Sequence, residues 1–161
     1  MRTLAIDLGL RRVGLALSDE SGKFASPLEV LEVNSPEQAM VAVGEAARKQ
    51  DAARLLVGLP LNMDGTAGPA ARNAVKWGKQ LGCRCALPVI FVDERLSSFA
   101  ADQSLNEQKR HGRKLTRKKK KQRQDALAAA DFLRGFLEGR LAALDVKSVS
   151  AISASALRPQ R

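Results

Sequence analysis

The 161-residue chain is poor in the residues on which several enzyme classes depend, with one histidine, His111, and two cysteines, Cys83 and Cys85. A single histidine set inside a basic run leaves no Ser-His-Asp triad and no histidine-rich metal site to assemble. The cysteines stand two apart in Gly82-Cys83-Arg84-Cys85. That spacing suits neither a disulfide framework nor a four-ligand zinc site, so both are read as reduced thiols. Long apolar runs are missing too. Leu55 to Leu61 and Val89 to Val92 fall far below the roughly 20 residues needed to cross a bilayer. Met1 to Leu8 enters directly into a strand-like pattern and carries an aspartate, where a secretory leader would have a basic start and a longer apolar stretch. A cytoplasmic protein with no membrane association is expected.

What the chain has in excess is positive charge: 27 Lys and Arg against 17 Asp and Glu, a net +10. Ten of these bases, Lys109, Arg110, Arg113, Lys114, Arg117, Lys118, Lys119, Lys120, Lys121 and Arg123, fall in one acid-free segment, and the rest of the chain is formally neutral. Such a segment implies a nucleic-acid partner, bound through its phosphates with steep salt dependence and little base discrimination. With Gly112 and no apolar period, the segment is expected to be mobile until it meets that partner.

The length suits one domain, read as residues 1–145, followed by a loose tail over 146–161 that is rich in Ser and Ala. Leu4, Ile6 and Leu8, then Val13, Leu15 and Leu17, alternate on either side of a Gly9-centred turn and predict a hairpin, with a third strand at Leu28 to Val33. Ser35-Pro36 opens a helix to about Gln50 with Ala39, Val43, Ala46 and Ala47 on its inner face. Arg54 to Leu59 is a continuous apolar run, as in a strand covered on both faces, and Pro60 ends it. Pro69 starts a second helix to roughly Leu81, packing Ala70, Ala74, Trp77 and Leu81. Pro88 to Val92 is a further strand, a helix is capped at Ser97 or Ser98, and a long helix runs from about Gln124 to Leu144. The order βββαβαβαα predicts an α/β domain with a mixed five-stranded sheet and helices on both faces, which is the ribonuclease H-like order.

Three separated acids stand out in this frame. Asp7 interrupts an apolar strand, and burying a lone carboxylate costs several kcal/mol unless it is paired or binds a cation. Asp93 and Glu94 close a second central strand, and alternation lets only one of them share a face with Asp7. Glu94 is favoured as the ligand, which leaves Asp93 for a supporting hydrogen bond or a helix cap. Asp125 is placed in the first turn of the long helix, where an acid also suits the helix dipole. Two strand ends and a helix start can gather Asp7, Glu94 and Asp125 into an oxygen-rich site for Mg²⁺ or Mn²⁺, sufficient for phosphodiester hydrolysis without a histidine base. The basic segment ends two residues before Asp125, which delivers phosphate-binding groups beside the proposed catalytic acid.

The chain resembles the YqgF- or RuvX-type Holliday-junction-resolvase-like proteins of bacteria. The matching residues are Ala5-Ile6-Asp7-Leu8-Gly9 with Arg12-Val13-Gly14 and Ser18-Asp19, Val57-Gly58-Leu59-Pro60 with Asn62, Asp64 and Gly65, Val92-Asp93-Glu94-Arg95-Leu96-Ser97, and the basic stretch leading into Asp125-Ala126-Leu127-Ala128-Ala129. They cover Met1 to about Leu137. The resemblance implies a ribonuclease H-like, metal-dependent endonuclease with Asp7, Glu94 and Asp125 at the family's acidic positions. It also implies a role in resolving junctions or in maturing small-subunit ribosomal RNA. Arg12 joins the basic segment as a candidate nucleic-acid contact. The expected partner is structured RNA or branched DNA, with ribosome association and a homodimer as further expectations. Two other readings compete with it: a non-catalytic RNA- or ribosome-binding factor of the same fold, and an actin-like ATPase start, for whose paired domains the chain is too short.

Overall fold

The computed structural model describes residues 1–95 and 117–147, apart from the side chains of Lys118, Lys120, Lys121 and Gln122. The helix expected after Ser97 or Ser98, the basic positions Lys109, Arg110, Arg113 and Lys114, and the tail from residue 148 lie outside the described residues.

Alternation in the first 18 residues produces the hairpin. β1 (Arg2–Leu8) and β2 (Arg12–Ser18) pair antiparallel, with Leu8 opposite Val13 and Asp7 opposite Gly14. β3 (Ala25–Glu32) continues the meander along β2. β4 (Ala52–Leu59) and β5 (Val89–Asp93) then add in parallel on the other side of β1, giving the order β3-β2-β1-β4-β5.

The helices between them cover one face of the sheet. α1 (Pro36–Lys49) starts as its sequence demands, with the Ser35 hydroxyl accepting from the Gln38 amide and proline in the first turn. The expected inner face of Ala39, Val43, Ala46 and Ala47 is buried. α2 (Pro69–Cys85) runs one turn beyond Leu81 and closes with Ala86 in the left-handed conformation. Ala71 is buried there and Ala70 is exposed. Ala71 stands three residues before Ala74, so it continues the stripe of Ala74, Trp77 and Leu81. Both helices pack on Leu4, Ile6, Val13, Leu15, Leu55, Val57, Leu59 and Phe91.

Among the described residues one helix covers the opposite face. α3 (Arg117–Leu137) lays Ala129, Ala130, Phe132 and Leu133 on Ala5, Ala16, Leu56 and Val92. These sheet residues are mostly smaller than those of the first face, and they let α3 come close. The expected boundaries of this helix are corrected at both ends. It begins seven residues before Gln124, inside the basic run, because Lys, Arg and Gln are all good helix formers and the downstream turns are anchored on the sheet. It stops at Leu137, where Gly139 takes φ 74°.

Residues 138–147 then cross the β5 edge from one face to the other. Leu141 packs with the α3-side cluster, the Leu144 amide donates to the Phe91 carbonyl at 2.8 Å, and Leu144 and Val146 reach the cluster under α1 and α2. Among the described residues no helix is long and apolar enough to cross a membrane. Cys83 and Cys85 carry free thiols.

A candidate acidic site under helix α3

Parity along two strands decides which acids meet. Ala5 belongs to the α3-side cluster and Leu4 and Ile6 to the other, so Asp7, two residues beyond Ala5, points toward α3. On the exit of β5, Val92 is on the α3 side and Phe91 on the other, which sends Glu94 toward Asp7 and Asp93 away from it. The Glu94 amide donates to the Leu59 carbonyl at 3.3 Å, extending the strand pairing past β5 and holding the carboxylate in place. Its Oε2 is only 2.9 Å from where a Cβ on Gly58 would stand, and the same point is 2.8 Å from the Phe132 ring. Gly58 therefore makes the space that Glu94 and α3 share.

Asp7 and Glu94 are hydrogen-bonded to each other. Burial pushes Asp7 up to about 6, with the charge of Asp125 adding to the rise and the bond to Glu94 opposing it. Burial also drives Glu94 up to about 8, helped by the charge of Asp7, by their hydrogen bond and by Asp93. Both are shifted upward and are close enough to share a proton. Between the ordinary carboxylate range and about 8, the folded chain keeps a proton that the unfolded chain gives up, so stability is lost as pH rises through that window. We expect the thermal midpoint of metal-free protein to fall between pH 5 and pH 8.5, which differential scanning fluorimetry will show. A flat or rising midpoint would remove the shared proton.

Asp125 is delivered by the close approach of α3. A Cβ on Gly14, the residue opposite Asp7, would lie 2.3 Å from the Asp125 carbonyl oxygen and 3.0 Å from the Ala126 nitrogen. The helix backbone therefore rests directly on β2 at the position beside Asp7. Asp125 sits about two turns inside α3, which corrects its expected place in the first turn and takes away the helix-dipole reason for an acid there, because that effect fades within one turn. Its Oδ2 accepts from Arg12 Nε at 2.7 Å, both side chains being 26% exposed. Arg12, an expected nucleic-acid contact, lines the cleft beside Asp7 and is bonded to an acid 113 residues away.

Asp93, on the other side of the strand, is engaged by Arg95. Its Oδ1 accepts from the Arg95 amide at 3.0 Å, and its carboxylate faces the Arg95 guanidinium, which holds it below the usual carboxylate range despite some burial. Arg95 also donates through Nη1 to the carbonyls of Asn62 at 3.2 Å and Met63 at 3.1 Å. This ties the β4–α2 loop to the end of β5. The role of Arg95 was missed from sequence, as were those of Gly14 and Gly58. The glycines were visible in Val13-Gly14 and Val57-Gly58, and their parity with Ala16 and Leu56 could have placed them on the α3 side.

The donor set is all oxygen and half-buried, which fits a hard divalent cation in kind. Among the described residues, however, no group of three or more Asp, Glu, His or Cys stands as a metal-holding cluster. Asp7 and Glu94 are together, and Asp125 is turned to Arg12. A cleft of about 450 Å³ beside them is lined by Asp7, Gly9, Leu10, Arg11, Arg12 and Asp125. Of the expected basic contacts, Arg117, Lys119 and Arg123 are exposed on the first turns of α3.

The same fold occurs in Thermus thermophilus RuvC in complex with a Holliday junction substrate, with a TM-score of 0.56, 16% identity and coverage of 89% of this chain and 99% of that one. It occurs again in the fowlpox virus resolvase in complex with Holliday junction DNA, with a TM-score of 0.53, 9% identity and coverage of 87% and 99%. The architecture is thus ribonuclease H-like, as the strand order predicted. A family model described as RuvX, Holliday junction resolvase, matches residues 1–139, and the chain belongs to that family. A relative from Anaeromyxobacter dehalogenans, strain 2CP-1, is 41% identical over 140 residues, covering 87% of this chain and 98% of its own, and is named "Putative pre-16S rRNA nuclease". One from Symbiobacterium thermophilum bears the same name at 39% identity over 142 residues, covering 88% and 95%.

Proposed function

We propose that the chain is a divalent-metal-dependent endonuclease that hydrolyses phosphodiester bonds in structured nucleic acid, working in the cytoplasm. The observation that carries this reading is the half-buried Asp7–Glu94 pair beneath α3 with Asp125 beside it. Two carboxylates sharing one proton form a site that a cation can occupy by displacing that proton. Asp7 and Glu94 would hold Mg²⁺ or Mn²⁺, with Asp125 as the third ligand. A bound ion would supply an activated water and charge stabilisation for the leaving oxygen. Arg12 and the basic segment, Lys109 to Arg123, bind the phosphates and bring the backbone to the acids. The family description and the names of the nearly full-length relatives support nuclease activity. Those relatives favour precursor 16S rRNA over a DNA junction as the substrate.

A panel of precursor RNA, four-way junction DNA and plain duplex, each with Mg²⁺ or Mn²⁺, tests the reading. Cutting of the precursor alone supports it, cutting of the junction alone moves the substrate to DNA, and binding without cutting of any member leaves a non-catalytic binding factor. Resolving a symmetric junction needs two paired sites, so a strictly monomeric enzyme would also argue for RNA.

Helix α3 makes a separate prediction. Changing Arg117, Lys119 and Arg123 together to glutamine should weaken binding uniformly across sequences and flatten the log–log salt dependence by up to about three units, roughly one for each phosphate no longer neutralised. Fluorescence anisotropy across a salt series measures it. An unchanged slope would place the phosphate-binding groups elsewhere.

A further inference from the structure

Asp125 is turned to a cation supplied by the chain itself and, among the described residues, completes no metal-holding group with Asp7 and Glu94. In the structure that cation is the Arg12 guanidinium, bonded through Nε at 2.7 Å. Among the described residues the Nη1 and Nη2 nitrogens of Arg12 meet no hydrogen-bond acceptor, and both partners line the open cleft that also contains Asp7. The backbone of Asp125 is pressed on Gly14, so changing partners requires only the two side chains to turn, with α3 staying in place.

Building on the metal-dependent reading above, we infer that Arg12 is a positioning residue that keeps the metal site incomplete until nucleic acid arrives. A phosphate entering the cleft takes the guanidinium as its own partner, because an arginine fork suits phosphate as well as carboxylate. Asp125, released beside the Asp7–Glu94 pair, is then available to the metal. Without nucleic acid, Arg12 and the metal compete for Asp125. With it, phosphate and metal each take one member of the ion pair. Metal and nucleic acid therefore bind with positive coupling, and the coupling is reciprocal.

Mn²⁺ binding to the full chain, followed by electron paramagnetic resonance at fixed ionic strength without nucleic acid, tests this directly. Arg12→Gln should bind Mn²⁺ about tenfold more tightly than the parent, at the low end of ordinary coupling strengths. Arg11→Gln, which removes the same charge from an exposed neighbour in the same cleft, should stay within about twofold, as expected of a solvent-screened charge. In the parent, adding Mn²⁺ should raise affinity for a phosphorothioate-protected, uncleavable substrate several-fold, and in Arg12→Gln that gain should disappear. Equal Mn²⁺ affinity in parent and Arg12→Gln, or equal shifts in both arginine variants, overturns the role of the ion pair and leaves the metal site standing. If none of the three proteins binds Mn²⁺, the metal-dependent reading fails and this inference falls with it.

Discussion

Asp7→Asn is expected to lower Mn²⁺-dependent cleavage by at least about 10³-fold, the rate equivalent of the several kcal/mol that a correctly placed metal ion supplies. Affinity for nucleic acid should change by less than about threefold, because the basic residues that meet phosphate are untouched. Asparagine keeps the shape of Asp7 and removes its charge, so the metal loses a ligand while the strand keeps its packing. Glu94 should respond as well. The charge of Asp7 is one of the causes holding Glu94 near 8, and without it the Glu94 carboxyl should ionise at lower pH. Removing a half-buried charge in metal-free protein costs no stability in itself, and the thermal midpoint should be unchanged or higher. A folded variant that binds but does not cut separates catalysis from folding. Undiminished cutting by the purified variant would mean that Asp7 is no part of the reacting site.

The second large effect is expected of a methyl group. Gly14→Ala puts a carbon 2.3 Å from the Asp125 carbonyl, far inside van der Waals contact, and neither neighbour is a flexible side chain that can bend aside. Either β2 or α3 must move, and overpacking of this kind costs roughly 1–3 kcal/mol or more. For a domain of this size, that corresponds to a midpoint lower by about 2–4 °C per kcal/mol. The lift occurs at Asp125 itself, so Mn²⁺ affinity should fall together with stability. A variant as stable as the parent would show that α3 does not rest on β2 at this point.

These two residues mark how far the sequence could be read. The sheet, the α1 cap at Ser35 and the facing of Asp7 follow from local rules, because alternation and capping are written within a few residues of each other. The same alternation let only one of Asp93 and Glu94 face Asp7, and the packing of Val92 under α3 decides for Glu94. The start of α3 was not legible, because a run of lysines and arginines reads equally as a solvated charge block or as a helix. Only the anchorage of Ala129, Ala130, Phe132 and Leu133 on the sheet decides for the helix. The bond between Arg12 and Asp125 joins residues 113 positions apart, and no periodicity encodes such a meeting. Gly14 was visible as a glycine, but the helix backbone that requires it comes from the far end of the domain. In each case the unread part depends on tertiary contact, and most of the candidate site is of that kind.

The strap of residues 138–147 also bears on how the protein behaves at high concentration. By lying along β5 and taking the Phe91 carbonyl, it covers one of the two borders at which the sheet could recruit a foreign strand. The other border, β3, includes Pro27, Glu29 and Glu32, a proline and two acids of the sort that discourage edge-to-edge pairing. Shortening the chain before Leu144 would remove this cover from the β5 border, where no acid or proline lies between Val89 and Val92. Loss of solubility would then be expected to precede loss of fold.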